Sequence, residues 1–253
     1  MSRQDANAGN TGDQLKHALL IEVIERLPIG PGWSYAETHA GAGLYRCDRA
    51  ACLLAAAGTD EARRGPGSGY ARTLRALSTK WPLEERDQWY PGSALLATNV
   101  GCEWAGVRLA EADAAVVDRL ATHMTLHAPT REEQAERQKK LQATAAGPIG
   151  GASGALQGVA TDTGIDLYPG SFETHLDDLL GTGPTLLFVD PYYYQSALLD
   201  PEEGRLGLRH LEAIVRALSG RDAVLMVFTS RMPAVASPLP GHEVGAPLLA
   251  HTP

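Results

Sequence analysis

Three short stretches of the chain concentrate the residue types that do chemistry. The first is Glu37-Thr-His-Ala-Gly-Ala-Gly43, where Gly41 and Gly43 let the backbone turn tightly and approach a ligand with no Cβ in the way. The second is Glu111, an acid directly after the candidate strand Val107–Ala110, placed to accept both hydroxyl hydrogens of a ribose. The third is Asp190-Pro-Tyr-Tyr-Tyr-Gln195. There Asp190 can accept from an amine, Pro191 stiffens the turn, and the phenol rings offer flat faces on which a base stacks. Each stretch also has a plainer reading. Gly41 and Gly43 suit an ordinary tight turn, and Glu111 suits a solvated acid at a helix start. Three consecutive tyrosines are harder to assign to a core, because each buried hydroxyl needs a partner.

Taken together, the three stretches describe a nucleoside-containing cofactor facing an acceptor site. S-adenosylmethionine suits this layout better than a dinucleotide. Leu44-Tyr45-Arg46 follows Gly43, so there is no Gly-x-Gly-x-x-Gly cradle for a pyrophosphate, and no Gly-x-x-x-x-Gly-Lys-Ser/Thr loop is present for a triphosphate.

These groups need a scaffold, and the periodicity supplies one. A helix is expected from about Asp13 to Leu27, with Leu15, Leu19, Val23, Ile24 and Leu27 on its apolar face, Thr11 or Asp13 as cap and Pro28 as stop. Trp33–Thr38 reads as a strand running into the glycine bend. Residues 46–90, rich in Ala and Arg, read as a helical insertion, and Tyr90-Pro-Gly-Ser93 as a turn that opens a helix. Val107–Ala110 reads as a strand, followed by a helix over Ala112–His123 with Ala115, Val116 and Leu120 facing inward. Residues 143–160 hold 11 Ala or Gly in 18 positions and offer little to bury, so a flexible loop is expected there. Leu186–Val189 and Ala223–Phe228 read as buried strands separated by an amphipathic helix over Leu206–Leu218. Nearly all-apolar strands alternating with helices imply a single α/β domain over 1–253, with a mostly parallel sheet covered on both faces. In such sheets ligands bind beyond the carboxyl ends of the strands at the switch in strand order, where all three stretches fall.

Composition narrows the partners. The 253 residues carry a net charge of −8, and residues 141–253 hold 5 Lys/Arg against 12 Asp/Glu, a net of −7. A protein that grips a duplex by neutralising many phosphates usually carries a basic face, so a large nucleic-acid footprint is disfavoured. A small one is accommodated around Arg63–Arg64 or Arg131–Lys140. The apolar runs are too short for a membrane helix and no basic-then-apolar leader opens the chain, which points to a cytoplasmic protein. Cys47, Cys52 and Cys102 have no zinc-like or redox spacing and read as reduced, structural thiols, and no metal site is expected.

The motifs Ala8-Gly-Asn-Thr-Gly-Asp-Gln-Leu-Lys-His17, Thr38-His-Ala-Gly-Ala-Gly43, Tyr90-Pro-Gly-Ser93 and Phe188-Val-Asp-Pro-x-Tyr193 occur in this order over about residues 8–230. In them the chain resembles the 23S ribosomal RNA adenine N6-methyltransferases (RlmJ-like), as a diverged member. The resemblance implies a Rossmann-like, S-adenosylmethionine-dependent methyltransferase sheet with a helical insertion between its first two strands. It implies a cofactor pocket built from His17, His39, Gly41, Gly43, Ser93, Glu111, Gly170 and Ser171. Asp190 and Pro191 would meet the acceptor amine, with Tyr193 stacked on its base. The implied acceptor is the exocyclic amine of adenine in RNA. Tyr192 replaces the family's second proline, the family's aromatic N-terminal segment is absent, and the C-terminus is shortened. These departures, with the acidity, keep two alternatives: a small-molecule or nucleoside acceptor, and a non-catalytic nucleoside-binding module. A partner that completes the sheet is one explanation of the short C-terminus. Oligomeric state is not readable from the sequence.

Overall fold

The structure is a computed structural model that describes residues 8–27, 29, 32–47, 68–82, 85, 88–130, 132–133, 136, 159–160, 164–191 and 208–228. Its centre is a six-stranded sheet of β1 (Ser34–Glu37), β4 (Gly106–Glu111), β5 (Val159–Ala160), β6 (Ile165–Pro169), β7 (Thr185–Val189) and β8 (Ala223–Val227) in the order β5-β6-β4-β1-β7-β8. Every pairing is parallel except that of the edge strand β5 with β6. The chain therefore builds outward from β1 through β4 to β6, then crosses to the other side of β1 for β7 and β8. The order reverses between β1 and β7. A separate two-stranded ribbon pairs β2 (Leu44–Arg46) antiparallel with β3 (Trp89–Pro91).

Alternation of side chains along the strands divides the core into two layers. Tyr35, Val107, Leu109, Leu186 and Phe188 pack on one face against α1 (Thr11–Arg26), α2 (Ser68–Ser78), α3 (Ser93–Asn99) and α4 (Ala114–His127), through residues such as Ile21, Leu77, Leu96 and Met124. Ala36, Ala110, Tyr168, Leu187 and Val189 face the opposite layer. There they meet Phe172 of a 3-10 turn, Leu179 and Leu180 of α5 (Leu176–Leu180) and Ile214 of α6 (Leu208–Leu218). The mixed α/β class and the mostly parallel sheet thus follow from strands that bury both faces, compatible with a Rossmann-like arrangement.

Several local expectations are corrected. Asn10, not Thr11 or Asp13, caps α1: its side chain accepts from the Asp13 N–H at 3.0 Å while Asp13 Oδ2 accepts from the Gly9 N–H at 3.0 Å. The buried face of α1 is His17, Leu20, Ile21 and Ile24, and Leu15 and Leu19 stay 61% and 44% exposed. Apolar residues surround this helix, so their spacing alone does not phase it; packing against α2, α3 and the sheet does. On α4 the inward residues are Val116, Leu120 and Met124, and Ala115 is exposed. Asp113 caps that helix through a bond from the Ala115 N–H at 2.9 Å, which points Ala115 outward in the first turn.

Of the 46–90 excursion, α2 and β3 are described, while 48–67 lie outside the described residues. Of the stretch expected as a loop at 143–160, Val159 and Ala160 form β5 and the remainder lies outside the described residues, as does Cys52. Cys47 is buried and Cys102 partly so, both as free thiols.

Candidate functional site

The glycine bend leaves β1 between the carboxyl ends of β7 and β4. Thr38 N–H donates to Phe188 O at 3.2 Å, and Ala40 N–H donates to Ala110 O at 3.0 Å, so the chain is stitched to both neighbours as it exits. Gly41 (φ 61°) and Gly43 (φ 73°) then adopt left-handed backbone, which L side chains rarely tolerate. A Cβ on Gly41 would lie 2.0 Å from Tyr45 Oη, the hydroxyl that accepts from the Ala42 N–H at 2.9 Å. Gly43 O accepts from the Gly92 N–H at 2.7 Å, which brings Ser93 and the start of α3 to the same bend.

Glu111 ends β4 on the other side. Its Oε2 accepts from the Gly41 N–H at 2.9 Å and its Oε1 from the Asp113 N–H at 3.0 Å. Its main-chain carbonyl accepts from the Gly170 N–H at 2.9 Å, which joins the Gly170-Ser171 turn to the same strand tip. Gly170 takes φ 115°, and Ser171 Oγ donates to Glu173 Oε2 at 2.5 Å rather than turning toward the bend. The second oxygen of Glu173 lies 2.6 Å from His210 Nε2, and Phe172 sits between His39 and His210, with ring centroids 5.3 Å and 6.2 Å away. His39 Nδ1 bonds Thr38 Oγ1 at 2.7 Å, and burial pushes the imidazole down to about 4, so it is neutral at physiological pH.

At the end of β7, Asp190 is paired with Lys16 of α1, whose ammonium also reaches Asp13 Oδ1 at 2.9 Å. Burial raises the Asp190 carboxyl while Lys16 pulls it back down. Burial works against the Lys16 ammonium too, but Asp190 and Asp13 outweigh it and hold it above its ordinary range. Pro191 is buried beside Asp190; Tyr193, with Tyr192 and Tyr194, lies outside the described residues.

His17 points the other way from the neighbouring Lys16. It is 4% exposed, stacks on Tyr90 at 5.6 Å, and bonds Tyr90 Oη through Nδ1 at 2.8 Å; Tyr90 in turn meets Tyr70 Oη at 3.1 Å. Burial and the adjacent Lys16 ammonium hold it well below the ordinary histidine range. His17 is thereby engaged in a tyrosine chain under α1.

The bend, the start of α3 at Ser93, Glu111 and Gly170 are thus linked at the carboxyl ends of β1, β4 and β6, and Asp190, paired with Lys16, follows the end of the adjoining β7. Two groups there carry no role in the sequence reading. Lys16 is the basic residue of a Leu-Lys-His triplet, and only folding brings it to Asp190. Glu37 closes β1 fully buried, accepting from Tyr35 Oη at 2.9 Å and from Ser93 Oγ. Burial raises its carboxyl to about 8 against the lowering effect of those two hydroxyls. An acid at the last position of an otherwise buried strand was the available signal.

Among the described residues no His/Cys/Asp/Glu cluster has metal-holding geometry, and no helix is long and apolar enough to cross a membrane. No family model matches the chain, and none of the curated proteins does. Among solved structures the chain is similar to the crystal structure of protein LPL1258 from Legionella pneumophila str. Philadelphia 1, family model DUF519. The identity is 18%, the match covers 86% of this chain and 67% of that one, and the TM-score is 0.51. At that identity the likeness speaks for a shared α/β fold.

Proposed function

We propose that the protein is an S-adenosylmethionine-dependent methyltransferase that methylates a nitrogen, with the exocyclic amine of adenine in RNA as its acceptor. The observation that carries this reading is that the Glu111-bonded glycine bend and the Lys16-paired Asp190 both stand at strand ends beside the reversal of strand order.

The residues present fit the cofactor's chemistry. Each Glu111 oxygen accepts one backbone N–H and retains a further lone pair for a ribose hydroxyl. Gly41, Gly43, Ser93 and the Gly170-Ser171 turn would complete the cradle around it, and the half-buried, neutral His39 would border it. When bound, S-adenosylmethionine supplies an electrophilic methyl group on a sulfonium.

The remaining work falls to the chain. An exocyclic amine is a poor nucleophile because its lone pair is delocalised into the ring. Lys16 takes Asp190 Oδ2 and favours the ionised carboxylate, so Oδ1 and the Pro191 carbonyl would accept the two amine hydrogens and turn the lone pair toward the methyl. As the N–C bond forms and the C–S bond breaks, the surplus amine proton would leave through Asp190. Most of the acceleration is then positioning. Tyr193 would stack on an extruded base.

The net charge of −8 favours a second reading of the same site, with a nucleoside or small molecule as acceptor. Calorimetry with S-adenosylmethionine and its demethylated product tests the shared part: absence of binding by both ends the methyltransferase reading. Tight, salt-sensitive binding of ribosomal RNA fragments then selects the first acceptor over the second.

A further inference from the structure

The Tyr35–Glu37–Ser93 triad lies directly behind the glycine bend and is absent from the mechanism above. Glu37 Oε2 lies 2.9 Å from Tyr35 Oη and its Oε1 bonds Ser93 Oγ; the ionised acid would receive a hydrogen from each. The neutral acid must reverse one of them, since its own O–H needs an acceptor. The two hydroxyls are not equivalent. Tyr35 is 0% exposed, packs its ring on Trp104 at 5.5 Å, and directs its hydroxyl at Glu37. Ser93 is 6% exposed and adjoins Gly92, whose N–H is held by Gly43 of the bend. Of the two hydroxyls, Ser93 is the one beside the bend, so its hydrogen is the one within reach of a ligand bound there.

We propose that Glu37 is a positioning residue that sets the hydrogen-bond polarity of Ser93: the neutral acid donates to Ser93 Oγ and releases the serine hydrogen to a carboxylate on the bound ligand, whereas the ionised acid captures that hydrogen. This rests on the methyltransferase reading, in which the amino-acid carboxylate is the cofactor's one anionic acceptor. The charged and titratable groups that face Glu37 are Tyr35 on its own strand, Lys16 on α1, Tyr45 on β2 and Asp190 after β7, with Ser93 as the neutral partner on α3. Burial favours the neutral form and the Ser93 and Tyr35 hydrogen bonds oppose it most; Asp190 adds to the first and Lys16 to the second, so the exchange of forms falls at about 8.

The test is calorimetric titration of the full chain with S-adenosylhomocysteine between pH 6.5 and 9.5, alongside Glu37→Gln, Ser93→Ala and the probe methylthioadenosine, which lacks the amino-acid end. The glutamine amide donates permanently to Ser93 and its carbonyl accepts from Tyr35. Wild-type affinity is expected to fall at least tenfold more than that of Glu37→Gln across the range. Ser93→Ala is weak throughout, and methylthioadenosine shows no difference between wild type and Glu37→Gln. Equal pH profiles for wild type and Glu37→Gln with S-adenosylhomocysteine overturn the proposal. A second readout needs no ligand: infrared titration of the free protein should show a protonated carboxyl that disappears in Glu37→Gln and titrates at higher pH in Ser93→Ala. An unchanged band in Ser93→Ala overturns the proposal even if no cofactor binds, and failure of all forms to bind S-adenosylhomocysteine with the band shifted as expected defeats the methyltransferase reading instead.

Discussion

The Gly41 N–H donates to the Glu111 carboxylate across 2.9 Å, fastening the bend that leaves β1 to the tip of the neighbouring strand β4. The same carboxylate holds the Asp113 N–H, so one side chain orders both the loop above β1 and the entry to α4. A ligand hydroxyl bound by Glu111 therefore meets an acceptor already fixed from two directions.

Replacing Glu111 with alanine should weaken S-adenosylhomocysteine binding by about tenfold to a hundredfold, the scale of one or two hydrogen bonds to a charged group. The two released backbone donors should also lower the melting temperature. Glu111→Gln, which keeps acceptor oxygen but not charge, should fall between. Calorimetry and thermal melts on the three proteins measure both effects.

Asp190→Asn should abolish most methyl transfer while leaving cofactor binding within a few-fold of wild type. The expected loss is on the order of 10²–10⁴-fold, typical of removing a group that receives a proton. Lys16→Met should reproduce part of that loss and recover as pH rises, because burial raises the Asp190 carboxyl and the ammonium that lowers it is gone. Single-turnover transfer against pH distinguishes the two variants.

Gly41→Ala should cost about 1–3 kcal/mol from the left-handed backbone alone. The new methyl would also collide with Tyr45 Oη. Gly41→Ala with Tyr45→Phe removes the oxygen in that collision but keeps the backbone cost, so the double variant should melt below Tyr45→Phe alone. Equal melting temperatures would show that the bend relaxes freely.

Stability should depend on pH in two opposed ways. Folded His39 resists protonation until about 4 while the unfolded chain takes a proton near 6.5, so the unfolded state binds more protons in that window and stability drops as pH falls through it. Folded Glu37 keeps its proton to about 8 while the unfolded chain releases it near 4.5, so stability drops as pH rises through that window. Above pH 6.5 the glutamate acts without opposition from His39. Wild-type melting temperature should decline from pH 6.5 to 8.5, Glu37→Gln should flatten that decline, and His39→Gln should flatten the acid limb.

What the sequence revealed follows from how locally each feature is encoded. β1, β4, β7 and β8 are legible because each is a short segment dominated by apolar or aromatic residues between turn signals, Leu186–Val189 being the plainest case. β6 escaped because Asp166 interrupts Ile165-Asp-Leu-Tyr-Pro169, and its identity as a strand rests on pairing with β4 rather than on its own composition. The short helix Leu176–Leu180 and the 3-10 turn before it escaped for the same reason: each is a single turn packed against the sheet. Within the site, Gly41, Gly43, Glu111 and Asp190 sit at strand ends that the hydrophobic pattern marks. The Ser93–Glu37 and Lys16–Asp190 bonds join positions 56 and 174 residues apart, and no local pattern encodes a contact at that distance.

The span between Lys16 and Asp190 has a consequence for biosynthesis. A chain emerging from the ribosome can form α1, β1 and β4 early, yet Lys16 has only Asp13 for company until the strand ending at Val189 has been translated and paired with β1. Pairing a parallel strand across that separation is a slow, non-local step. The Asp190 carboxylate therefore arrives with its counter-ion already waiting, and nascent chains halted before that strand should be recognisable by ready proteolysis of the whole α1 layer.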